Sequence, residues 1–125
     1  MQKLLLIPFL LISASMYAQK INPENLYTTW QLDKYSDEEE YYLPPKKEIG
    51  DYISLNSDMT YKALSEGQIS EGSWIFNANG KYIELKEKKG KKEKFYIHFL
   101  SDKSMVVTYD TDAYRIWEVH YVALK

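Results

Sequence analysis

From Thr28 onward the sequence is a train of short segments in which apolar and polar residues alternate, each ended by a few turn-forming residues. A period of two marks a strand with one buried face, and short connections make each strand pair with the next. In "TTWQLDKY", Trp30 and Leu32 share one face while Gln31 and Asp33 share the other. "IGDYISLNS" repeats the pattern with Ile53 and Leu55, and the turn "NSDM" leads back into "MTYKALSE". "EGSWIF" sets Gly72, Trp74 and Phe76 against Glu71, Ser73 and Ile75. After "NANG", where Asn and Gly tolerate positive φ, "KYIELKEK" turns Ile83 and Leu85 inward. "EKFYIHFLS" does the same with Phe95, Ile97 and Phe99; "MVVTYD" and "YRIWEVHYVAL" complete the series.

Eight strands in simple succession predict an all-β fold, an antiparallel up-and-down barrel. Closing the sheet removes the two exposed edges that an open one would carry. The only helical feature expected in this region is one capped turn at "NPENLY", ahead of the first strand. A length of 125 residues accommodates one domain with a real core.

The first residues read differently. "MQKLLLIPFLLISASMYAQ" has Lys3, an apolar run from Leu4 to Ile12, and small residues before a polar turn. That layout predicts a signal peptide over residues 1–18, leaving 19–125 as the barrel domain of a periplasmic or secreted protein. The run falls short of the roughly 20 apolar residues that cross a bilayer, and Pro8 interrupts it, so no membrane span is expected after cleavage. The absence of cysteine removes disulfides and a lipidated cysteine, so stability must come from packing. A net charge of -2 gives no electrostatic footing for nucleic acid. Twelve tyrosines suit strands that bury a ring while keeping a hydroxyl wet.

Together, "LYTTWQL", "DYISLNSDMTY", "EGSWIF", "KYIEL", "YIHFLSDKSMVV" and the aromatic last strand resemble the lipocalin-like domain of small secreted bacterial proteins, across residues 19–125. The resemblance implies that Trp30 plugs the closed end of the barrel, with Thr28 standing where the family's Gly-x-Trp motif has glycine. It also implies that the connection after the first strand crosses the open mouth. A Gly-x-Trp recurs in mid-chain, where Gly72 is expected to relieve crowding at a bend and Trp74 to fill the interior.

Little points to catalysis. His98 and His120 both alternate away from the apolar face with no carboxylate at ligand spacing, so no metal site or cofactor is expected. No serine sits on a Gly-x-Ser-x-Gly elbow, and Glu38, Glu39 and Glu40 read as solvated loop charge, so the protein is expected not to be an enzyme. The run "KEKKGKKEK" reads as a solvated turn, its lysines diluted by Glu84, Glu87 and Glu93; the other reading is a basic tip touching an anionic surface. The loop "SDEEEYYLPPKK" is longer than a hairpin needs, which makes Tyr41, Tyr42 and Leu43 candidates for a lid stiffened by Pro44 and Pro45.

The expectation is an exported monomeric barrel that binds a small hydrophobic or amphipathic molecule, with one or two tyrosine hydroxyls orienting it. The expected lining is Trp30, Ile53, Leu55, Tyr61 and Trp74, with Ile83, Ile97, Val107 and Trp117, beneath the Tyr41–Leu43 lid. The alternative is a barrel filled by its own side chains that acts as a protein or glycan interaction or inhibitor module.

Overall fold

A computed structural model of the chain describes residues 21–112 and 116–124; the expected signal segment, residues 1–18, lies outside them. The fold begins with a 3-10 turn, Pro23–Leu26, capped by Asn22, whose side-chain oxygen accepts the Glu24 N–H. Proline at the first position costs nothing there, because its missing N–H would have had no partner. The strands follow in order: β1 (Thr29–Ser36), β2 (Tyr41–Tyr42), β3 (Tyr52–Leu55), β4 (Thr60–Ser65), β5 (Gln68–Asn77), β6 (Tyr82–Glu87), β7 (Lys92–Leu100), β8 (Ser104–Tyr109) and β9 (Glu118–Leu124).

Every pairing is antiparallel. Strands β3 to β9 each lie beside the next, β3 lies on β1, and β9 returns to β1 from Thr29↔Leu124 to Ser36↔Glu118. The result is a closed, eight-stranded, up-and-down barrel with β2 as a small addition. β1 is longer than β3, and its free edge is covered in steps. β3 takes Thr29 to Gln31, the Asp51 carbonyl accepts the Leu32 N–H at 2.8 Å, and β2 takes Tyr35 and Ser36.

The turns follow local chemistry. Glu66 and Gly67, at φ 51° and 82°, form a two-residue hairpin whose twist matches the strands it joins. In the β5–β6 turn the residue at positive φ is Lys81, not Asn79 or Gly80 as "NANG" suggested. Asn77 explains the difference: its side-chain oxygen accepts the Gly80 N–H at 2.7 Å and closes the turn earlier.

Alternation predicts the inward residues except where a bulge intervenes. On β7, Ile97 faces Val107 but Phe99 faces Val106, so His98 is an extra residue and the parity changes there. Leu100 therefore turns inward and Phe99, expected inside, is 44 % exposed. A second bulge on β1, at Asp33, turns Tyr35 toward the interior opposite Val119.

Antiparallel succession places the start of β1, the β3–β4, β5–β6 and β7–β8 turns and the end of β9 at one end. That end is plugged. Leu26 and Trp30 are fully buried, and the Trp30 indole N–H donates to the Leu26 carbonyl at 3.1 Å. The Trp74 indole N–H donates to the Asn56 carbonyl at 3.0 Å, and Tyr27 lies edge-on to the Trp74 ring. Without these acceptors each buried N–H would cost about 1–3 kcal/mol. Phe95, Ile83, Met105 and Val107 have no exposed surface. Water finds no room beside them, so this half of the barrel is filled.

At Gly72 the backbone of β6 lies directly against β5. A Cβ there would stand 1.9 Å from the Lys86 carbonyl oxygen, a backbone atom that cannot step aside. Gly67 differs: its φ is 82° and a Cβ would meet nothing within 4 Å. Gly72→Ala should therefore lose about 3 kcal/mol or fail to fold, through overpacking. Gly67→Ala should lose about 1 kcal/mol, through backbone strain alone. Urea denaturation of both variants checks this, and an unshifted midpoint for Gly72→Ala would contradict the close approach.

Candidate functional site

The open end carries the connections 37–51, 66–67 and 88–91, together with the one that leads from β8 to β9. Its inward side chains differ in kind from those of the plug. Tyr61 on β4 faces Gly72; Tyr109 on β8 faces Phe95; Tyr121 on β9 faces Leu32 and Met105; and Tyr35 enters through the Asp33 bulge. Ala63 and Ser70 face one another beside them. Counting back by two from Phe95 brings Glu93 inward, opposite Leu85, and counting forward from Leu85 brings Glu87 inward, opposite Gly72.

The tyrosine hydroxyls are engaged at this level. The Tyr109 and Tyr121 hydroxyls bond each other, Tyr35 donates to the Glu48 carboxylate, and Tyr61 bonds Ser70. Burial is the main cause holding Tyr61, Tyr109 and Tyr121 above the usual phenol range, and the negative charge of Glu93 adds to it at each. All three stay neutral at physiological pH.

Glu93 is the exception. Among the described residues no hydrogen bond or ion pair reaches its carboxylate. Among those residues no side-chain oxygen is sealed without a partner either, so the Glu93 oxygens keep contact with the space at the mouth. Burial pushes its pKa up from the ordinary value, the charge of Lys91 lowers it in part, and Glu87 raises it further. A half-buried carboxylate without a hydrogen bond is costly to keep, and such groups concentrate at functional sites.

At the rim, Trp117 is half-buried and meets Tyr42 edge-on, with ring centroids 5.2 Å apart. The Tyr42 hydroxyl lies 3.0 Å from Asp37 and 2.8 Å from Glu40 and shares its one proton between the two carboxylates, while Asp37 also accepts the Glu39 and Glu40 N–H groups. The acidic loop is thus a built hairpin. The expected lid is narrower than three residues, because β2 pairs with the end of β1. Tyr42 sits opposite inward Tyr35, whereas Tyr41 sits opposite outward Ser36. The Tyr41 ring lies on the outer wall against His120, under the Lys34 ammonium, and Leu43 is 85 % exposed.

The other expected lining residues do face inward: Ile53, Leu55, Tyr61, Ile97, and the fully or nearly fully buried Trp30, Trp74, Ile83 and Val107. The last four present almost no free surface to a ligand. Among the described residues no three metal-ligating side chains gather. His98 bonds the Thr108 hydroxyl at 2.6 Å and His120 bonds Ser36 at 2.7 Å. A shallow, open surface depression of about 400 Å³ lies at the closed end, lined by Thr28, Thr29, Ser54 and Asn56 among others. Three of its hydroxyls are engaged: Thr29 and Ser54 bond each other, and Thr28 donates to the Leu124 carbonyl.

Sequence reading missed Glu93 and Glu87 by counting them with the lysine turn. The available signal was the parity of "EKFYI", which puts Glu93 on the face of Phe95.

Glu93 sets a pH dependence. A carboxyl whose folded pKa is raised adds stability below its unfolded pKa of 4.5, and that stability is lost as pH rises through the folded value. Glu93→Gln should therefore be more stable than the parent at pH 7, with the gain shrinking as pH falls toward 4.5 and below. Urea midpoints across that range test it; a variant less stable at pH 7 would show that a partner satisfies the charge.

No family profile matches the sequence, and no curated protein matches it. Among solved structures, the chain is similar to a de novo designed fluorescence-activating beta barrel, with a TM-score of 0.46 and 13% identity over 83% of this chain and 100% of that one.

Proposed function

We propose that the chain is an exported, non-enzymatic, lipocalin-like protein that binds a small amphipathic molecule at the open end of its barrel. The observation that carries this reading is the division of the interior. One half is closed by tryptophans and aliphatic side chains, while the other holds tyrosines, small residues and the inward Glu93 carboxylate. A barrel selected for stability alone gains nothing from Glu93 at a core-facing position between Leu85 and Phe95, where an apolar residue would contribute about 1.5–3 kcal/mol. Trp30 at the plugged end supports the lipocalin-like assignment, and the pattern of residues 1–18 supports export.

The filled half limits depth, so the ligand seats near the rim, against Tyr42 and Trp117, with its polar group toward Glu93. That same filling favours a second reading, a protein or glycan interaction module. Native mass spectrometry of the protein secreted from its own kind of cell, followed by solvent extraction, separates the two. A discrete small molecule, present on the parent and reduced on Glu93→Gln, is the expected outcome. A bare mass under gentle conditions would favour the interaction module.

A further inference from the structure

Resting on the reading of the open end as a binding site, we propose that its ligand is a small organic cation. The group bound would be an ammonium on a short apolar body, with Glu93 as counter-ion and the rim rings of Tyr42 and Trp117 as walls. Glu93 points into the barrel with no hydrogen bond or ion pair among the described residues, and Glu87 faces inward beside it. The charges of Asp51 and Glu48 also reach the interior, acting on Tyr121 from the far side of the mouth. Lys91, on an exposed turn, is the cation that acts on Glu93.

A neutral ligand would cover Glu93 and leave its charge uncompensated, and an anion would add repulsion in a place poorly reached by water. A cation removes the cost that burial imposes on the carboxylate. The walls favour the same choice, because aromatic faces attract positive charge, more strongly once water is displaced. Toward the mouth, the inward positions on β4 and β5 carry small side chains, Ala63 and Ser70. A bare metal ion fits poorly, since no three ligating side chains converge among the described residues. The cation must therefore bring its own apolar body, which the Tyr42–Trp117 pair at the rim can cover.

Three probes of similar shape decide the point: 2-phenylethylamine, 2-phenylethanol and 3-phenylpropanoate, titrated calorimetrically at pH 7 into the purified protein and Glu93→Gln. The amine should bind the parent at least about tenfold more tightly than the alcohol, with the acid weakest. Glu93→Gln should erase the advantage of the amine and leave the alcohol within about twofold, which also reports that the variant is folded. Alcohol or acid binding as tightly as the amine, or an amine affinity unmoved by Glu93→Gln, would overturn the cation while leaving the binding site standing. Failure of all three probes to bind would overturn the site itself along with it.

Discussion

The pairing of β9 with β1 is the constraint on which everything else depends. It joins residues at opposite ends of the chain, and without it the sheet has two free edges and no inside. Once it forms, each strand is divided into an inner and an outer row, and the identity of an inward residue becomes a statement about the barrel's contents. The chain has no cysteine to hold that closure covalently. It relies instead on the ladder from Thr29 to Ser36, interrupted only by the bulge at Asp33, and on the tryptophans seated beneath it. Gly72 serves the same end on the opposite wall, letting β5 and β6 approach where a side chain would force them apart.

The interior then separates into two regions with opposed physical demands. The plugged end satisfies every requirement of a stable core, including an acceptor for each buried indole N–H. The open end carries neutral tyrosine hydroxyls and a carboxylate raised in pKa by burial. Stability gained at one end offsets the cost carried at the other.

Much of this was legible in the residues. Alternation located the strands, their succession implied the barrel, and the spacing of Trp30 and Trp74 marked inward positions. What escaped were features that hinge on one residue of register. A bulge has no composition of its own, so neither the outward Phe99 nor the inward Tyr35 follows from counting by two. Tyr41 and Tyr42 look alike in sequence, and only the pairing of β2 assigns one to the rim and the other to the outer wall. Glu93 obeys simple parity, but its lysine neighbours give the segment the composition of a solvated turn.

The stepwise cover on β1 has a consequence for behaviour at high concentration. β3 leaves that strand after Gln31, and the next backbone groups would offer a template to any extended chain that drifted past. Asp51 takes one of them and the two residues of β2 take the next pair, so the seam where the barrel's longest loop departs offers little to an intruding strand. Shortening the acidic loop would do more than reshape the mouth. It would reopen an adhesive edge, turning a change at the mouth into a route to aggregation.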